Sequence, residues 1–159
     1  MSLHMIIGTT RFNSATFEEN NTWRGGRGGC VYGLRRKLPK QIKKGAQVYV
    51  IEMCNTTNKV MGVGIIKNKC IFRDAEYRIY SNENYNRYIY TGEKRVDRSE
   101  IKDVAFLEKL EKVLFYGKGH MKRGQSVTVM ASYKLKGVEE FIHNLTTRNK
   151  GVNSGVLCL

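Results

Sequence analysis

"VYVIEMCNTTNKVMGVGII", residues 48–66, consists of two apolar runs joined by the polar stretch "CNTTNK". The alternation predicts a β-hairpin. On its first arm Val48, Val50 and Glu52 fall on one face and Tyr49, Ile51 and Met53 on the other, because successive strand side chains point to opposite sides. In the second arm Gly62 and Gly64 stand between apolar residues, as expected where a strand bends or another backbone comes close.

Toward the N-terminus, "HMIIGTT" predicts a first strand, and "NSATFEEN" a short helical turn with Thr16 and Glu19 at capping-box spacing. A loop follows, "NNTWRGGRGG" at residues 20–29, which holds the one tryptophan of the chain. Beyond the hairpin, "YRIY" and "NRYIYTG" read as aromatic strands. Asp97 and Glu100, again at capping-box spacing, introduce a helix carrying Ile101, Val104, Leu107, Leu110 and Leu114 on one stripe. "GQSVTVMAS" predicts another strand, and Val138, Phe141, Ile142 and Leu145 give the i, i+3, i+4, i+7 pattern of a closing helix.

There is no internal repeat, no Pro-rich linker and one proline, Pro39. The expectation is one α+β domain over residues 5–159, with a mainly antiparallel or mixed sheet bent by its glycines into a barrel-like form and flanked by helices. Residues 1–4 read as an expression scar, since Met1-Ser2-Leu3 and His4 precede a second methionine, Met5.

A chain of 159 residues, 41% hydrophobic and 26% charged, has ordinary globular usage. No apolar run approaches the roughly 18 residues of a spanning helix, and no secretory pattern opens the chain, so an intracellular protein, cytoplasmic or nuclear, with no membrane partner is expected. Cys30, Cys54, Cys70 and Cys158 lack C-x-x-C spacing and read as reduced thiols rather than metal ligands. "YGKGHMKRGQSVTV" lacks the spacing of a phosphate-binding Gly loop. Neither a metal nor another cofactor is expected.

Charge says more. The 28 Lys and Arg against 14 Asp and Glu leave +14, and they are segregated. No acid occurs in residues 20–51, which carry Arg24, Arg27, Arg35, Arg36, Lys37, Lys40, Lys43 and Lys44, or in residues 112–138, which carry Lys118, His120, Lys122 and Arg123 among others. Solubility needs charge but not segregation, so the pattern predicts a surface that faces a polyanion, nucleic acid first and an acidic protein second.

The order of elements, with Asn21-Thr22-Trp23 after the first strand and helix and Gly62-Val63-Gly64-Ile65-Ile66 in the second hairpin arm, resembles the PUA-like superfamily, closest to its EVE and YTH branches. The likeness covers residues 5–145 in layout and those two motifs in residues. It implies a domain that reads a single extruded or unpaired base, often a modified one, in an aromatic-walled pocket opening on a basic groove. The partner it implies is RNA rather than DNA, and single-stranded or locally opened if DNA. Trp23, with Asn21 and Thr22, would wall that pocket. The second wall is usually another tryptophan, absent here, which leaves Tyr85, Tyr88 or Tyr90. Stacking contributes ~1–3 kcal/mol per base, and backbone phosphates would meet Arg24, Arg27, Arg35 and Arg36, with Lys118, His120, Lys122 and Arg123 on the far side.

Each of these readings has a plainer counterpart. Trp23 can anchor a core, and aromatics at alternate strand positions ordinarily pair across strands. No nucleophile–base arrangement marks a catalytic residue. Amidohydrolases of the related ASCH branch, which act on modified nucleosides with Lys, Thr and Glu sets, make Lys43, Thr56 and Glu52 the alternative set to test, and a basic protein-interaction module is the third class.

Overall fold

The computed structural model describes residues 4–156, with side chains as far as Thr147. The hairpin lies at the centre of the larger of two sheets. Its arms are β3 (Gln47–Cys54) and β4 (Lys59–Lys67), preceded by β1 (Ile7–Phe12), α1 (Ser14–Arg24) and β2 (Cys30–Leu34). They are followed by β5 (Ile71–Phe72), β6 (Tyr88–Gly92), β7 (Lys94–Asp97), α2 (Val104–Phe115), β8 (Thr128–Val129) and α3 (Val138–Val156). The larger sheet runs β7-β4-β3-β1-β8 and the smaller β2-β6-β5. Among the described residues only β1 and β3 pair in parallel, so the large sheet is mixed and the fold is α+β. The sheets bend but do not close: among the described residues β7 and β8 end the larger one as edges, so the expected barrel is not formed.

The predicted two-faced strand is what divides the core. Val48 and Val50 pack with Tyr32, Ile89 and Tyr90 of the small sheet, while Ile51 and Met53 pack with Leu107, Leu110 and Leu114 of α2 and Ile142 of α3. Covered on both faces, β3 is apolar at nearly every position, and each such side chain contributes ~1.5–3 kcal/mol on full burial. Both reasons for glycine in β4 apply. Glu52 pairs with Gly62 and Met53 with Val60, which leaves Met61 as a bulge. At Gly64 a Cβ would meet Tyr32 Oη and, at 2.7 Å, Cys30 Sγ, so the missing side chain lets β2 dock on the sheet.

Several local expectations change. Asn13, not Thr16, caps α1: Thr16 N–H donates to Asn13 Oδ1 (2.8 Å) and Asn13 N–H to Thr16 Oγ1 (3.0 Å). The helix consequently continues through Trp23, and the loop shrinks to residues 25–29. Glu19, freed from capping, accepts from Ser81 N–H at 2.6 Å. The Asp97–Glu100 box forms, yet it caps a 3-10 turn, Arg98–Glu100, whereas Asp103 caps α2 by accepting from Phe106 N–H. "YRIY" is not a strand, because the amides of Ile79 and Tyr80 donate to Asn86 Oδ1 at 3.1 and 3.0 Å instead of to a neighbouring strand. "GQSVTVMAS" pairs only over β8, and β2 and β7 form without an alternating pattern to announce them. Among the described residues no helix is long and apolar enough to cross a membrane.

Candidate nucleic-acid interface

An open groove of about 2110 Å³ runs between the β2–β3 connection, the end of β4 and the β6–β7 turn. Asn68 builds one bank of it. Its Nδ2 donates to the carbonyls of Ile42 (2.9 Å) and Lys43 (3.3 Å), and its backbone exchanges bonds with Gly45 and Ala46, so the basic connection is tied to the β4 end. Beneath, Tyr90 Oη accepts from Leu38 N–H at 3.1 Å, and burial pushes the phenol up to about 12, which keeps it neutral. Arg27, Arg36, Lys37, Lys40 and Lys44 line the groove from the acid-free segment, and Lys67, Lys69 and Lys94 line it from β4, its exit and β7. Among the described lining residues the one acid is Glu93. Eight cations against one acid concentrate positive potential in a concave surface, which is the electrostatic form of a polyanion site.

A second cavity, of about 240 Å³, opens at the C-terminal ends of β1 and β3, with Phe12, Tyr32, Tyr80 and Tyr85 as aromatic walls. Its polar rim includes Arg11 and Asn55. Arg11 is held by five bonds, among them Nη2–H to the Ser126 carbonyl (2.7 Å) and Nη1–H to the Met121 carbonyl (3.0 Å). Burial brings its pKa down to about 10, so it stays charged at neutral pH. Its Nε and the Asn55 Oδ1 are buried without a hydrogen-bond partner. Leaving such a group unpaired costs ~1–3 kcal/mol, so both side chains are held under a polar deficit beside the cavity.

The aromatic walls are fixed from behind. Tyr80 Oη accepts from Asn20 Nδ2 (2.9 Å), which also donates to the Val31 carbonyl (2.7 Å). Tyr32 Oη donates to Glu52 Oε2 (2.7 Å), and burial, then the charge of Glu52, raises that phenol well above its ordinary range. Glu52 is in turn clasped by Arg95, with Nη2 at 2.6 Å from Oε1 and Nε at 2.9 Å from Oε2, and Arg95 also reaches Asp97 at 2.9 Å. This two-pronged geometry suits a buried carboxylate, because a guanidinium fork satisfies both oxygens at once.

The sequence-predicted residues separate into several places. Trp23 is half-buried and lines neither cavity: its ring stacks on Tyr77 at 5.3 Å, carries the Arg27 guanidinium 4.0 Å from its centre, and its Nε1–H donates to the Glu76 carbonyl at 3.2 Å. Asn21 and Thr22 are exposed on the last turn of α1. Tyr85 walls the small cavity, Tyr90 lies under the groove, and Tyr88 pairs with Phe72 on the small sheet. Arg27 and Arg36 line the groove and Arg35 is exposed beside Arg36, whereas Arg24 turns inward to Asn20 Oδ1 at 2.7 Å, where burial and then the neighbouring Arg95 lower its pKa. Lys118 and Arg123 are exposed and line neither the groove nor the small cavity, although carbonyls of their loop accept from Arg11 and Asn55. Asn55 Nδ2 donates to the Lys122 carbonyl (2.9 Å), Lys122 Nζ to Asn58 Oδ1 (2.7 Å), and His120 Nδ1 accepts from Lys122 N–H (3.2 Å). Arg36 N–H donates to Ser126 Oγ at 3.0 Å, so the groove and this loop are physically joined.

Lys43, Thr56 and Glu52 do not meet. Lys43 precedes β3, Thr56 follows its other end, where it accepts from Ser14 N–H, and Glu52 is enclosed with Arg95. Of the groove and cavity residues, sequence reasoning missed Lys67, Lys69 and Lys94, the cavity walls Phe12, Tyr32 and Tyr80, and, at its rim, Arg11 and Asn55. The three lysines lie outside the acid-free segments, and nothing local distinguishes the others. Comparison of the chain with protein-family models, curated proteins and solved structures finds no match.

Proposed function

We propose that this protein is a PUA-like nucleic-acid-binding domain. It holds a single-stranded or locally opened strand in the basic groove and seats one unpaired base in the cavity walled by Phe12, Tyr32, Tyr80 and Tyr85. The observation that carries the reading is the groove's eight cations against one acid. The cavity supports it through size and chemistry: 240 Å³ is below the roughly 300–1,000 Å³ of drug-sized sites and suits one flat heterocycle. The Arg11 guanidinium and the Asn55 side chain meet a base edge at the rim, while the aromatic rings stack on its face. RNA is the expected form on the resemblance described above, and Trp23, which stacks on Tyr77 and carries Arg27, supports the neighbouring loop instead of walling the base pocket.

The test is titration of single-stranded RNA at increasing salt. Log affinity should fall linearly with log salt, with a slope of about −0.7 per phosphate contacted, and Lys67→Ala or Arg36→Ala should weaken all sequences alike. Asn55→Ala should instead change the preference among base identities or modifications. Binding that does not respond to salt rejects the groove, and an Asn55→Ala protein with unchanged preference rejects the pocket.

A further inference from the structure

β5 is an edge strand of two residues, and it displays an aromatic side chain that the groove and the small cavity do not use. Phe72 is 58% exposed, and it lies directly across from Tyr88 in the ladder with ring centres 5.4 Å apart. Cations surround the pair: the Arg73 guanidinium is 5.3 Å from the centre of Phe72, and Arg87 and Lys37 are 5.6 and 5.8 Å from that of Tyr88. Arg73 is held in place by its N–H bond to the Arg87 carbonyl at 3.0 Å, with a φ of 45° that an arginine rarely adopts.

Next to the aromatic pair is a cavity of about 340 Å³ bordered by Arg73, Arg78 and Arg87. Two acids share its rim, Asp74 and Glu83, and Asp74 already accepts from the Glu76 amide. Arg87, one of its lining residues, has its Nε buried without a hydrogen-bond partner. The patch is continuous with the basic groove, since Lys37 and Ile71, the chain neighbour of Phe72, both line the groove.

We infer that Phe72 and Tyr88 form a second base-stacking platform, on which a strand leaving the groove lays a base on Phe72 and its phosphate against Arg73 and Arg87. The inference rests on the nucleic-acid reading above and extends it to a longer footprint. An exposed aromatic edge strand would ordinarily invite pairing with another copy, but here two like-charged patches would have to meet, whereas a polyanion is attracted. Bases satisfy both halves of the surface, because a π-face stacks on Phe72 while the adjoining phosphate reaches the guanidinium groups.

The experiment compares oligouridine of about four nucleotides, enough for the groove, with one of about twelve, on wild-type protein and on Phe72→Leu, Phe72→Ala and Arg36→Ala. Phe72 is largely exposed, so both Phe72 variants should remain folded and melt within about 10 °C of wild type, the loss of its Tyr88 and Arg73 contacts setting the shift. They should bind the long strand about 5- to 150-fold more weakly, the equivalent of ~1–3 kcal/mol of lost stacking, and the short strand unchanged. Arg73→Gln should reduce the salt slope for the long strand only, by about 0.7. Wild-type affinity of Phe72→Leu for the long strand, with Arg36→Ala still weakening both, overturns the platform and leaves the groove standing. Failure of wild type to bind either strand at low salt overturns both readings. Binding of polyglutamate as tight as that of oligouridine and equally indifferent to Phe72 also overturns the platform, because it assigns the surface to an acidic protein.

Discussion

Truncating Trp23 distinguishes a structural anchor from a base platform. In the structure Trp23→Ala removes a stacked pair with Tyr77, a guanidinium resting 4.0 Å from the indole centre and the Nε1–H bond to the Glu76 carbonyl. The aromatic pair is worth ~0.5–1.5 kcal/mol, the cation contact ~0.5–1 at a partly exposed site and the hydrogen bond ~0.5–1.5, together about 1.5–4 kcal/mol before any cost of the void. For a chain of this size each kcal/mol moves Tm by ~2–4 °C, so a fall of about 3–16 °C is expected. Thermal melting by far-ultraviolet circular dichroism measures it. The loss should be accompanied by faster proteolysis near residues 74–77, since Trp23 holds Tyr77 and Glu76 to α1, while Glu19 and Asn20 still hold Ser81 and Tyr80. Because the chain has a single tryptophan, its emission also reports directly on ligand contact, and saturating oligonucleotide should leave it nearly unchanged. A Trp23→Ala protein that melts like wild type but no longer binds, or strong quenching of Trp23 by bound oligonucleotide, would falsify the anchor assignment and return the base to this ring.

Three further outcomes follow from the buried charges and thiols. Glu52→Gln should destabilise the protein by up to ~3–5 kcal/mol in urea titration, because it leaves the enclosed Arg95 with only the half-exposed Asp97 as counter-charge; a loss below about 1 kcal/mol would show that the pair is dispensable. Burial works against the Asp97 charge, yet hydrogen bonds from Ser99 and Arg95 outweigh it and hold the carboxyl down from 3.8 to about 2. Its folded pKa is thus depressed, so its contribution is complete above 3.8 and disappears as pH falls toward 2; Asp97→Asn should flatten the stability profile in that window, and an unaltered slope would contradict the assignment. Burial, then Glu52, pushes the Cys30 thiol up to about 12, whereas Cys70 is exposed, so an alkylating reagent near neutral pH should label Cys70 in the native protein and spare Cys30, as mass mapping would show.

Residues 48–66 determined most of the fold by themselves. A strand must send alternate side chains to opposite faces whatever surrounds it, so Val48 and Val50 were assignable to one layer and Ile51 and Met53 to another before either layer was known. The stripe of α3 was legible for the same reason, as geometry internal to one element, and that of α2 from Leu107 onward; Ile101 precedes the helix and Val104, on its first turn, is exposed. So was the basic surface, since charge segregation over residues 20–51 survives any fold that keeps the segment outside. The start of α1 was a nearer miss, because Asn13 and Thr16 sit at the same three-residue spacing as Thr16 and Glu19, and only the backbone path chooses between them.

What tertiary structure alone decided are the meetings of residues far apart in the chain. Trp23 finds Tyr77, Glu52 finds Arg95, and the small cavity gathers Phe12 from β1, Tyr32 from β2, Asn55 from the hairpin turn and Tyr85 from the excursion before β6. Local propensity carries no information about such pairs. Each exists because chain crossings bring two surfaces together and because buried donors, acceptors and charges must then find partners among whatever side chains the crossing supplies.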